Sequence, residues 1–300
     1  MKRANLQDAL EEPLVTSATA PGVEPAGELE SRYYTRFTPS QRALHVILML
    51  TFLGLAATGL PLRFSSAAWS VALAKLVGGF AAVLFFHKLC AVILTIAFLA
   101  HVVDIAYRLI AKKQYWMLWG PNSMVPNLKD LKDLIGQMRW FLFLGPKPKY
   151  DRFTYWQKLD YWGVFWGMAI IGISGYAMWF SRLFARLFPG SWLNIAIFIH
   201  GEEALLATGY IFVVHFFNEH LRPGHFPMDV TVFTGSQKEE EFREAHPEEY
   251  ARAVEAGQLE QMRTKAPSPT SVRAWRVLGA VSVVVGVALI VLTAEAFIKE

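Results

Sequence analysis

One cysteine, Cys90, stands in 300 residues. That scarcity excludes a disulfide framework, an iron–sulfur cluster held by this chain alone, and covalent haem attachment through a C-x-x-C-H motif. Charge is also scarce: charged residues are 18% of the chain against 54% hydrophobic, a balance that departs from that of an ordinary soluble domain. The sequence has no glycine-rich nucleotide-binding loop. The first forty residues, rich in Pro, Ala and Glu, lack the apolar core of a cleavable signal peptide and read as a disordered tail.

What is present in abundance is the long apolar run. Roughly 20 such residues in a helix cross the hydrocarbon core, and a polar backbone crosses it only as a helix or a closed barrel. Five candidate spans occur, at about 41–62, 79–107, 159–181, 193–218 and 274–297. Lys and Arg number five up to Arg42, ten from Arg108 to Lys158 and eight from Arg222 to Arg276, while few flank the opposite ends. By the positive-inside rule these basic segments are cytoplasmic, with the N-terminus inside and the C-terminus outside. The expected location is the inner membrane of a bacterium, crossed several times. The net charge of +4 is then an orientation signal and a lipid contact, without need of nucleic acid.

Thr38-Pro39-Ser40-Gln41 has the form of a capping box with proline in the first turn, and it predicts a helix start just before His45. After the second span, Leu128, Leu131, Leu134, Ile135 and Met138 share one face of a short helix, with Lys129, Lys132 and Asp133 elsewhere. The pattern fits a helix lying in the cytoplasmic interface, and equally a loop helix packed on protein. The charged stretch around Glu239, Glu240, Glu241 and Arg243 reads as a solvated helix, closed by Pro267 and Pro269 before the last span. That span is nearly all Val, Leu, Ala and Ile and is expected to face lipid or a partner subunit. The chain thus divides into a disordered cytoplasmic tail (1–35), a core (36–222) with its cytoplasmic loop (108–158), a charged cytoplasmic segment (223–271) and a fifth transmembrane helix (272–300).

Five of the eight histidines fall inside the spans: His45, His87, His101, His200 and His215. Ionisable groups are costly there and mark function; a lone one is as readily a hydrogen bond between helices. The spacing argues otherwise. His87 and His101, fourteen residues apart, share a helix face about 21 Å apart along the axis; His200 and His215, fifteen apart, are separated by about 22 Å and roughly 60°. The second and fourth spans run in the same direction, so His87 meets His200 at the outer level and His101 meets His215 at the inner one. Two imidazoles on one iron give a low-spin b haem. A weak duplication accompanies this: Thr58-Gly59 with Phe64 resembles Ser174-Gly175 with Phe180. Small residues that would let a flat macrocycle approach are Gly78, Gly79, Gly172, Gly175, Gly201 and Gly209, although glycine also serves ordinary helix packing. Trp156, Trp162, Trp166 and Trp179 could line haem edges or form interfacial belts.

Arg36-Phe37-Thr38 through Arg42 and His45, Thr58-Gly59, His87, the approach to the third span from Arg152 to Lys158, Ser174-Gly175 and the fourth-span histidines together resemble the gamma-subunit family of formate dehydrogenases and related quinone-linked cytochromes b. Phe226-Pro227-Met228-Asp229, Phe233-Thr234-Gly235 and His246-Pro247 are similar to that family's cytoplasmic tail. The resemblance covers about residues 36–250. It implies an all-α integral membrane protein: a four-helix haem-binding bundle plus, here, a fifth C-terminal transmembrane helix. It further implies two haem b groups, a menaquinone or ubiquinone near the cytoplasmic side, and an extracytoplasmic redox partner, either an iron–sulfur protein or a multihaem c-type cytochrome. The family takes its inner ligands from the first and fourth helices, which points to His45 with His215; the internal duplication points to His101 with His215. Gln157 matches a polar position that contacts quinone in the family, with Thr154 in place of an asparagine. The fifteen-residue histidine spacing and the fifth span depart from the family pattern.

Other charged residues have several readings. Lys158 is a quinone contact or an interfacial anchor; Asn218, Glu219, His220 and Arg222 relay protons, bind propionates or merely line the interface. Glu202, Glu203 and Asp104 tune a nearby histidine, carry protons, or pair with Lys88 or an arginine. The competing function, from another class, is a haem-free transporter whose membrane His and Glu bind a metal ion or proton; a third is a structural anchor with inert histidines. The chain has no substrate-sized soluble domain, so in the cytochrome reading catalysis of the donor's or acceptor's chemistry is expected in another subunit.

Overall fold

Thr38 and Asn127 begin their helices by the same device. Thr38 Oγ1 accepts from the Gln41 N–H at 3.4 Å while Gln41 Oε1 accepts from the Thr38 N–H at 2.9 Å; Asn127 and Asp130 close an equivalent box. In the computed structural model of the chain, which describes residues 32–222, 226 and 228–299, these caps open α1 (Pro39–Arg63) and α4 (Leu128–Phe141). Between them lie α2 (Ala68–Val77), a short apolar helix, and the long α3 (Phe80–Ile110).

The third span starts on a further capping box, Thr154 with Gln157, and runs as α5 (Tyr155–Gly167), a π-helical stretch (Met168–Gly172) and α6 (Ile173–Trp179). It then bends by 101° into α7 (Ser181–Leu187). The fourth span comprises α8 (Ser191–Gly209) followed by two π-helical stretches, Tyr210–His215 and Phe217–Leu221. After it come α9 (Thr231–Thr234), α10 (Glu239–Ala245), α11 (Pro247–Glu255) and α12 (Pro269–Lys299). Among the described residues four helices are long and apolar enough to cross a membrane, and a fifth span results if the bent Tyr155–Leu187 pair is counted as one. The chain is a helix-rich, multi-pass membrane type of protein, and its lipid-facing side chains account for the wealth of exposed hydrophobics.

The spans pack in pairs. α1 lies along α3, and α8 lies along α6 and the π stretch before it, whereas the two pairs touch each other sparingly. Only 6% of the most apolar window of α3 is buried within the chain, so most of that helix is left to lipid or another occupant. The densest apolar cluster sits elsewhere, where Ala56, Leu60 and Phe64 of α1 meet Phe212 and Phe216 of the fourth span and Leu289 and Ala296 of α12. The last span was expected against lipid or a partner; one of its faces instead packs inside the chain. Gly286 permits this, since a methyl group there would stand 2.8 and 2.9 Å from carbons of Phe216 and Phe212.

Two further expectations change. The tail assigned to 1–35 gives up its last residues: β1 (Tyr33–Thr35) is the central strand of a small antiparallel sheet between β2 (Ser236–Lys238) and β3 (Arg263–Thr264). Residues 1–31 of that tail lie outside the described residues. The stretch read as a solvated charged helix is a folded cap at the Pro39 end of α1, because the sheet and α10 bury Tyr34 and Phe242 completely. Arg36 lies over the Phe242 ring at 4.5 Å and pairs with buried Glu249, which Arg152 also reaches at 2.8 Å. Burial alone would raise the Glu249 carboxyl, but Arg36 and Arg152 override it and hold the group below the ordinary carboxylate range.

The exposed side of α4 is apolar, and its polar side faces protein. Lys129, Asp130 and Gln137 bond to Lys149 O, Lys158 and Tyr150 respectively. The helix ends in a Schellman turn, with Leu144 N–H on Arg139 O at 2.7 Å and Phe143 N–H on Trp140 O at 3.0 Å. The left-handed position of that turn, where glycine is usual, is held by Phe143 at φ 59°, a strain of about 1–2 kcal/mol for a residue with a Cβ.

Candidate functional site

His87 of α3 and His200 of α8 face each other at the end remote from the cap, with ring centres 6.3 Å apart and planes at 78°. Their hydrogen bonds fix which nitrogen is free. His200 Nδ1 lies 2.9 Å from the carbonyl oxygen of Ile171, which only accepts, so Nδ1 carries the proton and Nε2 the lone pair. The Thr58 hydroxyl donates to Gly54 O at 2.6 Å, which leaves its oxygen to accept from His87 Nδ1 at 3.0 Å. Ser174 repeats the Thr58 arrangement, donating to Ile170 O and standing 3.3 Å from His200 Nδ1. Two neutral imidazoles thus present Nε2 lone pairs, the metal-ligating form held by an anchored Nδ1–H.

Glycine makes room for both rings. A methyl group at Gly59 would come within 3.1 Å of His87 Cε1, and one at Gly175 within 2.9 Å of His200 Cε1. The repeated Thr58-Gly59 and Ser174-Gly175 pairs of the sequence therefore do the same thing twice, each with its own histidine. Of the other glycines read as macrocycle spacers, Gly79 and Gly209 would meet nothing within 4 Å, and Gly201 faces the Arg63 side chain.

At the cap end the first, third and fourth spans bring a second group of ionisable residues together. His215 Nδ1 lies 3.0 Å from Asp160 Oδ2, and Tyr210 donates to Asp160 Oδ1 at 2.8 Å. His45 is within electrostatic reach of His215, Asp160 and His220; its ring packs edge-on against Phe233, and its buried Nδ1 has no hydrogen-bond partner among the described residues. His101 is placed differently: its Nε2 lies 3.0 Å from the Tyr161 hydroxyl, and its ring also neighbours Phe165. The nitrogen that is free in His87 and His200 is thus engaged in His101.

The π stretch Tyr210–His215 gives a physical reason for the fifteen-residue spacing. A π turn absorbs one extra residue without rotating the later side chains to another face, so fifteen residues here do the work of fourteen in α3.

The remaining candidates have local partners. Gln157 accepts from the Thr154 N–H through Oε1, leaving only its amide NH2 uncommitted by the cap. Lys158 is buried and bonded to Asp130 at 2.9 Å. Glu202 pairs with Arg63, Asp104 with Arg108, and Glu203 accepts from Trp166, while Lys88 sits over the Trp179 ring rather than on a carboxylate. Trp162 donates to Met124 O and Trp156 lies under Arg222. Glu219 O accepts from Asp229 N–H, and His220 is buried against Phe216.

Sequence reasoning missed Asp160. A carboxylate at the second position of the predicted third span was the available signal. It also missed that Arg36, Arg42, Arg152, Gly235 and His246 converge: Arg42 Nε donates to Phe233 O at 2.7 Å, and Gly235 O accepts from the N–H groups of Arg36 and Phe37. These motif residues hold the cap together. Among the described residues no group of three or more His, Cys, Asp or Glu gathers as a metal-ion site; His87 and His200 are the imidazoles whose rings face each other.

A helical membrane protein with imidazoles opposed across sparingly packed helix pairs is the class these features define. No known family's sequence profile matches the chain, and no characterised protein matches it significantly in sequence.

Proposed function

We propose that this chain is the membrane b-type cytochrome subunit of a quinone-linked oxidoreductase, holding two haem b groups and passing electrons between menaquinone or ubiquinone and a redox partner outside the membrane. The observation that carries the reading is the His87–His200 pair. With ring centres 6.3 Å apart, the two imidazoles would hold one iron between their Nε2 atoms. The anchored Nδ1 atoms, the glycines beneath both rings and the sparse contact between helix pairs fit a flat group held there.

His87 and His200 hold the first haem. At the cap end His215 is held by Asp160, and His45, buried with an unpartnered nitrogen, is the better second ligand than His101, whose Nε2 is bonded to Tyr161. A bis-imidazole b haem supplies one-electron transfer with no open site for oxygen. The protein's part is to fix ring orientation through Thr58, Ser174 and Asp160. Gln157, through its amide NH2, is the residue for a quinone carbonyl at that end. The resemblance to formate dehydrogenase gamma subunits supports the quinone and the extracytoplasmic partner.

The test is spectroscopic. Purified protein should show a sharp Soret band and reduced alpha band of two six-coordinate b haems per chain, and His87→Ala or His200→Ala should each remove one. Purification without haem, together with proton or metal flux in vesicles, would instead establish the transporter.

A further inference from the structure

We infer that α4 and the turn that ends it form an in-plane anchor docked on the bilayer interface, a lipid-binding surface separate from the membrane spans. The argument starts from an inversion. A helix packed on protein turns its apolar side inward, yet α4 turns Lys129, Asp130 and Gln137 to the protein and leaves Leu128, Leu131, Leu134, Ile135 and Met138 exposed. The Schellman turn continues the same surface with Phe141, Leu142, Phe143 and Leu144, and Phe143 is 95% exposed. An aromatic residue with a Cβ at the left-handed position, projecting into open space, is unfavourable twice in water; insertion among lipid offsets both costs.

The helix is tied to the start of the third span. Lys158, one turn into α5, holds Asp130 of α4 at 2.9 Å, and Trp162, one turn further, donates to Met124 O in the segment just before α4. These bonds fix α4 at the level where the third span begins, which is the interfacial zone. Lys132 and Arg139, exposed on the same helix, flank the apolar residues and suit anionic headgroups. The occupant is therefore the lipid interface. The inference does not depend on the haem reading.

The test uses full-length protein in nanodiscs of phosphatidylcholine and phosphatidylglycerol, with Cys90→Ala as background. An environment-sensitive fluorophore is placed by Leu131→Cys, Ile135→Cys, Phe143→Cys or, as control, Lys132→Cys. Probes at 131, 135 and 143 should be quenched by doxyl-labelled lipid and spared by aqueous iodide, with the reverse at 132. Quenching of the three sites by iodide alone, showing a water-exposed helix, would overturn the inference. Protection of the three from both quenchers, showing a protein partner over the surface, would overturn it equally. Haem content measured on the same samples reports the functional proposal independently.

Discussion

Gly175 shows how little space the His200 ring has. A methyl group there would lie 2.9 Å from Cε1 and 3.2 Å from Nδ1, and the ring is held from behind by Ile171 O. The imidazole would have to give up its anchor to accommodate even one carbon. Gly175→Ala is therefore expected to cost about 1–3 kcal/mol as overpacking and to abolish the haem proposed at His87 and His200. Gly163→Ala, where a methyl group meets nothing within 4 Å, should leave haem content unchanged. Haem per chain and thermal midpoints of the two variants check this. The pairing of His87 with His200 is legible in sequence spacing alone. Which nitrogen each ring presents is not, because that depends on a carbonyl and two hydroxyls contributed by the neighbouring helix. The same holds for His215, whose partner Asp160 is 55 positions away in sequence.

At the scale of elements, the cap illustrates a charged sequence that folds inward. His246 is buried, donates from Nδ1 to Asp151 O at 2.7 Å, and is lowered to about 4, by burial first and then by Arg36. A histidine whose folded value lies below its unfolded 6.5 binds its proton more readily once the cap unfolds. Its contribution to stability is thus complete above pH 6.5 and is lost as pH falls toward 4, by about 3 kcal/mol in all. Limited proteolysis of the cap across that range should show falling protection, and His246→Asn should flatten the slope there. Glu249, held low by its arginines, contributes its own loss only below the ordinary 4.5. The capping boxes of α1, α4 and α5 are local devices; of these, the box opening α1 was legible as a motif in the sequence. The strand pairing of Tyr33–Thr35 with Ser236–Lys238 was not legible, because three-residue strands carry no periodicity and their partners lie some two hundred positions apart.

For the whole molecule, topology is the open physical quantity. Five crossings, counting the bent third span, would put Arg32 and Lys299 on opposite sides, and the distribution of Lys and Arg predicts that the cap lies inside. Fusion of a fluorescent protein after Gln258 should fluoresce in the cytoplasm, while alkaline phosphatase fused after Lys299 should be active outside. Cytoplasmic fluorescence from a fusion at Lys299 would reverse the assignment of α12.

The apolar runs by themselves pointed to a multi-pass helical membrane protein, because an unbroken apolar run of about 20 residues satisfies its backbone in lipid as a helix. The approximate limits of the spans, the placement of five histidines within them, and the doubled Thr58-Gly59 and Ser174-Gly175 pattern came with it, while the third span turned out bent. Tertiary structure decided the rest: that α12 packs on α1 and the fourth span, that α4 turns its polar side inward, and that His101 meets Tyr161 while His45 approaches His215. The physical reason is directional. Hydrophobicity and spacing set which residues enter the membrane and at what height, but the face each helix turns to its neighbours is set by packing, by glycine clearances and by π turns that no single-helix pattern contains.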